Sequence, residues 1–237
     1  MREPAWNRNV LPVISCLAIL CALLARSVAA AGADVPDRDG TTLVYANRVF
    51  IRDLRIRLNR NNVIIRNCTF RGASLRVQGR GDLVVQDTIF DHPGTLGMSI
   101  RIDGAVLIDS VEIFGRGRSP DGNLYSGLTI HGATDGGLIA NVRVSDFPGN
   151  GILLEAETLT PIVGVAIQNV EIYRCRGGLW LFNTRNCVVD GLYAESCSYR
   201  PHPRHELGQL FPCILDERLV DGSRVRGDSE IENVVCQ

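Results

Sequence analysis

Five short stretches of the 237-residue chain share a pattern that would bring reactive side chains together: SLRVQG (74–79), SIRIDG (99–104), GLTIHG (127–132), GILLEA (151–156) and GLWLFN (178–183). Each reads as a strand, usually entered through glycine, with CILDE (213–217) a weaker copy. Alternation turns Leu75/Val77, Ile100/Ile102, Leu128/Ile130, Ile152/Leu154 and Leu179/Leu181 inward. The residues between them face out in two columns. One column reads Arg76, Arg101, Thr129, Leu153, Trp180, and the other reads Gln78, Asp103, His131, Glu155, Phe182. If the strands stack, Asp103, His131 and Glu155 are expected side by side. Asp103 and Glu155 then lie two layers apart, roughly 9–10 Å between backbones, where two carboxyls can share acid and base roles around a water. His131 between them is placed to relay a proton near neutral pH. Arg76 and Arg101 suit a uronate carboxylate, and Trp180 beside Phe182 suits a sugar ring. A lyase needs a similar set: a cation for the substrate carboxylate and a base for the adjacent C–H proton. The plainer reading is an ordinary outward face, polar by default, whose opposite charges satisfy each other.

The elements that must position these residues repeat along the chain. VFIRDLRI (49–56), VIIRNCTF (63–70), LVVQDTIF (83–90), VLIDSVEI (106–113), LIANVRV (138–144) and VAIQNVEI (165–172) each read strand, bend, strand, with VVDGLYA (188–194) and EIENVVC (230–236) weaker. The bend residues are Asp53, Asn67, Asp87, Ser110, Asn141, Asn169, Gly191 and Asn233. From Asn67 to Gly191 the steps are 20, 23, 31, 28 and 22 residues by subtraction. A unit of two or three strands at this period cannot bury its apolar face alone and must stack on its neighbours. No stretch after residue 31 has sustained helical periodicity. Phase assigns Val63, Ile65, Cys68, Phe70, Leu83, Val85, Phe90, Val165, Ile167, Val170 and Ile172 to the core.

On these repeats the chain, over roughly residues 43–237, resembles a right-handed parallel β-helix of the pectin-lyase-like superfamily, an all-β solenoid of roughly eight coils. The resemblance implies that the Asn/Asp/Ser bends stack as an internal polar ladder. Another β-solenoid, or a left-handed helix, is the alternative, although a left-handed coil usually keeps a strict six-residue period. Polygalacturonase-like members carry Asn-Thr-Asp, Asp-Asp, Gly-His-Gly and Arg-Ile-Lys. The present chain has Asn183-Thr184-Arg185, Ile130-His131-Gly132, no Asp-Asp and no lysine. Pectate-lyase-like members hold calcium with clustered aspartates, whereas only Asp103 and Glu155 fall in the expected column. Neither activity is assigned by motif; no cofactor is expected, with calcium left open.

Composition narrows the partners. All 25 basic residues are arginine, against 26 acids, so Schiff-base chemistry and the lysine phosphate loop are excluded. Near-neutral charge without a basic run gives nucleic acid no footprint. Arg2 and Arg8, the uncharged stretch from Asn9 to Ala25, and Ser27-Val28-Ala29-Ala30-Ala31 read as a secretory signal peptide over 1–31, with an uncleaved anchor as the alternative. A linker over 32–42 and a β-helix domain over 43–237 follow. The location expected is secreted or periplasmic, and no membrane contact beyond export is expected. Cys68, Cys175, Cys187, Cys197, Cys213 and Cys236 then sit in an oxidising setting. Cys175 and Cys197 each lie six residues after a bend, so they are expected to stack within disulfide range, as a bridge or as two reduced thiols. The other four fall at inward phases as small apolar residues. His202, His205 and Glu206 lie on a Pro-rich loop, where solvated side chains are the expectation, not a metal site. The reading is an exported protein that engages a polysaccharide, expected to be acidic in character by the arginines, with lyase or glycoside hydrolase activity open. Its alternative is a non-catalytic binding or structural β-helix at a cell surface or envelope.

Overall fold

The computed structural model describes residues 37–39, 41–117, 123–132, 135–156, 160–197, 209–220 and 223–237. The expected signal peptide and the loop holding His202, His205 and Glu206 lie outside the described residues. Alternating apolar residues, broken by bends and short turns, form a parallel β-helix built of two sheets, one of 12 strands and one of nine. The described residues contain strands and no helix. Each coil gives one bent strand to the long sheet and one to the second sheet. Val63–Ile65 lies over Leu83–Val85, and that over Val106–Ile108, with Gly137–Ile139, Val165–Ile167, Val189 and Ile231 continuing the stack. Part of the expected linker, Asp37–Asp39, pairs antiparallel with Thr42–Ala46 and covers the first edge of the long sheet. At the other end, Gln209–Phe211 and Ser223–Arg226 both pair antiparallel with Ile214–Val220 and close the second sheet.

The core follows the inward phase. Phe50, Phe70 and Phe90 stack with ring centroids 4.6 and 4.4 Å apart. The same register continues through Ile113, Val144, Ile172, Ala194 and Cys236, so the interior tapers from aromatic to small. Glycine opens the second-sheet strands because the chain passes the core too closely for a side chain. A Cβ on Gly127 would strike Val144 Cγ1, and one on Gly151 would strike Ile172 Cγ2. The outward positions Val44, Ile64, Val84 and Leu107 are buried as well and form a second apolar cluster.

Two expectations about the bends change. Asp53 is not a bend; its carboxylate accepts from the Ser74 N–H at 2.9 Å. The equivalent of Asn67 is Asn47, since Tyr45 pairs with Ile65 and Val49 with Thr69. The bends do stack, but on the solvent side and not as an internal ladder. Asn47, Asn67, Asp87, Ser110, Asn141, Asn169 and Asn233 all have φ between 47° and 56°, in the left-handed region, and all seven are exposed. There the amides still link coils: Asn67 Nδ2 donates to Asn47 Oδ1, Asn141 to Asp109 at 2.8 Å and Asn233 to Asp190 at 2.6 Å.

The cysteines divide differently from expectation. Cys213 and Cys236 form a disulfide across 23 residues, which ties the last strand of the long sheet to the last coil of the second. Cys175 and Cys197 stack as expected and stand as reduced thiols. The Cys175 N–H donates to Cys197 Sγ at 3.3 Å, and a hydrogen bond to Cys197 together with burial holds the Cys175 thiol far above its ordinary range. Burial pushes Cys187 up to about 11.

The final coil also buries an acid. Asp216 pairs with Leu181, whose side chain is in the core, so the aspartate points inward and is fully buried. Its Oδ2 accepts from the Ser229 N–H at 3.1 Å. Desolvation raises its carboxyl above the ordinary aspartate value, Asp228 adds to the rise, and the Ser229 hydrogen bonds oppose it.

Three outcomes follow for stability. Phe70→Ala opens the aromatic stack and should cost about 3–5 kcal/mol by denaturant unfolding. Cys236→Ser should cost about 3 kcal/mol by losing the 213–236 bridge, while Cys68, Cys175, Cys187 and Cys197 should alkylate only after unfolding. The folded state keeps a proton on Asp216 that the unfolded chain releases first, so this residue's contribution falls as pH rises above the ordinary aspartate value. Thermal midpoints from about pH 4 to 7 should therefore decline less steeply in Asp216→Asn than in the native chain.

Candidate functional site

The candidate face is the outer side of the second sheet, where successive strands lie in parallel register. Leu75 pairs with Met98, Met98 with Leu128, Leu128 with Ile152 and Ile152 with Leu179. The outward columns therefore differ from the expected ones at one strand. SIRIDG enters the sheet two residues earlier than its alignment on GLTIHG implies, because Gly97-Met98 is the equivalent of Gly127-Leu128. A slip of two keeps every side chain on its own face and changes only its neighbours. The first column reads Arg55, Arg76, Ser99, Thr129, Leu153, Trp180, Leu215. The second reads Arg57, Gln78, Arg101, then His131, Glu155, Phe182 and Glu217.

Among the expected site residues, Asp103 leaves the group. It pairs with Arg80 in a third column, on a 3.2 Å ion pair, with its side chain 59% exposed. Arg101 takes its place beside His131, and a Cβ on neighbouring Gly132 would lie 3.7 Å from Arg101 Cγ. His131 and Glu155 do come together. They are register partners, with Nδ1 to Oε2 at 3.6 Å and both side chains partly buried. Arg76 is exposed one column over, next to Ser99 and two positions from Gln78.

Trp180 and Phe182 meet edge to face at 6.0 Å, as neighbours on one strand. They are not an exposed pair: Phe182 is buried and Trp180 is half-buried. The indole N–H of Trp180 donates to Glu217 Oε2 at 3.2 Å. Glu217 is itself buried, and its backbone carbonyl accepts from the Asn183 N–H at 2.7 Å. Sequence reasoning passed over Glu217. The signal was the weak copy CILDE, which lies in register with the end of GLWLFN and carries two acids where the other copies carry one or none.

The face thus runs from arginines on the early coils, through a His131–Glu155 pair, to an aromatic pair braced by a buried carboxylate. Chemically it offers cations for an acidic group, an imidazole–carboxylate pair for proton transfer and an indole for a ring. No group of three His, Cys, Asp or Glu among the described residues is arranged to hold a metal ion.

Comparison with curated proteins and with solved structures gives no match. The family profile described as the right handed beta helix region matches residues 54–198, more than half of the chain and most of the coils described above. With its coils stacked in parallel register and that profile spanning them, the chain belongs to the right-handed β-helix family.

Proposed function

We propose that this chain is an exported β-helix protein that engages a polysaccharide along the outer face of its second sheet. The observation that carries this reading is the register pair of His131 and Glu155, with Arg101 near Gly132 on one side and half-buried Trp180 on the other. A column rising about 4.8 Å per coil presents side chains at intervals suited to successive sugar rings of an extended chain. Arg76 and Arg101 supply charge-assisted donors to acidic groups, and Trp180 supplies a platform fixed by Glu217. The protein's family supports the fold of this reading; export rests on the leader-like first 31 residues.

A catalytic version is favoured by one observation, the His131–Glu155 pair at 3.6 Å. At this distance the carboxylate faces imidazole Nδ1 without a hydrogen bond to it and favours a charged ring, leaving Nε2 as the nitrogen to accept or give a proton. Asp103 plays no part in this version, so two carboxylates bracketing a water are replaced by one imidazole with its neighbouring acid. Without turnover, the same face serves as a non-catalytic binding module.

The purified chain should be screened against uronate and neutral polysaccharides, with and without calcium, for binding, for the ultraviolet band of unsaturated products and for reducing ends. Binding is expected, and Trp180→Ala should weaken it roughly tenfold, or ~1.4 kcal/mol. If products form, His131→Ala should lower kcat by about 10²–10⁴-fold, and turnover unchanged in that variant would remove the catalytic version. Absence of binding to every polysaccharide tested would overturn the proposal.

A further inference from the structure

The two sheets treat their charges differently. On the long sheet, charges are neutralised from coil to coil: Arg143 meets Glu171 at 2.6 Å and Arg174 grips both oxygens of Asp146 at 2.7 Å. On the early coils of the second sheet, arginine lies over arginine. Arg55 pairs in register with Arg76, Arg57 lies two residues from Arg55 along the same strand, and Arg80 and Arg101 follow on the next two strands. All five are exposed. The only acid in these columns on the first three coils is Asp103, held by Arg80. Arg55, Arg57 and Arg76 have no carboxylate within ion-pair distance among the described residues; the Arg57 guanidinium lies 3.1 Å from the side-chain amide of Gln78.

Like charges placed directly opposite each other on neighbouring strands cost stability. Exposure and salt soften that cost, and nothing in the packing requires the guanidinium groups, since the inward residues Ile56, Leu58 and Val77 hold these strands. The sign of the charge then reverses along the axis, to Glu155 and Glu217 on the later coils. We infer that Arg55, Arg57, Arg76, Arg80 and Arg101 form a docking strip for the anionic groups of a linear acidic glycan, lying along the coil axis with its acid groups on the first three coils. This rests on the polysaccharide reading of the same sheet and gives it a substrate class and a polarity. Carboxylates and sulfates both fit the guanidinium fork. A nucleic acid single strand is disfavoured because no aromatic side chain is interleaved with these arginines to stack its bases.

The test is binding of the full chain to polygalacturonate, to a sulfated glycan, to a neutral glucan and to duplex and single-stranded DNA over a range of salt. The triple variant Arg55→Gln, Arg57→Gln, Arg76→Gln is run beside Trp180→Ala. The triple variant should keep or raise the thermal midpoint, which shows that the fold survives. It should weaken acidic-glycan binding at least tenfold, with a salt dependence shallower by up to about three counterions, and leave neutral-glucan binding unchanged. The polygalacturonate and sulfated arms separate carboxylate from sulfate as the recognised group. Acidic-glycan binding that persists in the triple variant but fails in Trp180→Ala overturns the strip and leaves the polysaccharide reading standing. Loss of neither overturns both. Tighter binding to DNA than to either acidic glycan overturns the inference in favour of a nucleic acid surface.

Discussion

Each inner coil of this protein is placed by parallel backbone hydrogen bonds to the coils on either side of it. The Val63 N–H donates to the Asp82 carbonyl, the Leu83 N–H to Ala105 and the Leu179 N–H to Cys213, each at 2.9–3.0 Å. Because the side-chain period within a strand is two and the spacing between coils is constant, that single constraint converts distance along the chain into adjacency along an axis. It sets Phe50, Phe70 and Phe90 ring on ring, Asn67 on Asn47, and the sulfur atoms of Cys213 and Cys236 within bonding reach. The same constraint brings His131 to Glu155, 24 residues away, without any local motif to join them.

The two sheets spend this adjacency differently. The long sheet uses it for stability, with amide links at its bends and ion pairs such as Arg143–Glu171 between its strands. The second sheet carries unneutralised arginines at one end and a buried glutamate bracing an indole at the other. Groups that cost stability where they stand are the ones whose presence the fold does not explain, and they collect on this face. Asp216, one residue from Glu217, extends the pattern into the core of the last complete coil.

The fold was legible because its signal is redundant. A dozen strands repeat the same alternation, so errors in any one copy leave the architecture intact, and the inward residues read from phase are the buried ones. The site was legible only in part, because its composition depends on register between strands, which alternation alone does not specify. The strand holding Arg101 and Asp103 shows the reason: moved by two residues it keeps the same inward isoleucines, yet it exchanges an acid for an arginine beside His131. Asp53 misled in the same way, as an acid between two alternating runs, although the turn geometry belongs to Asn47. Glu217 and the Cys213–Cys236 bridge depended on the last coil, where the repeat is weakest and antiparallel strands replace the parallel pattern. The paired thiols at Cys175 and Cys197 were legible as neighbours, since both lie a fixed distance past a bend, but neighbouring position does not determine oxidation state.

The ends of the stack differ in a way that bears on self-association. Asp37–Asp39 covers the first rung of the long sheet, while among the described residues no strand covers the outer side of Glu230–Cys236. An uncovered rung of a solenoid offers backbone donors and acceptors to any identical chain that approaches it. Here that rung carries Glu230 and Glu232, both exposed, so two such ends meeting would set acid against acid. The acidic side chains along this rung thus repel a second copy of the same edge, while a folded-back strand shields the opposite edge of the sheet.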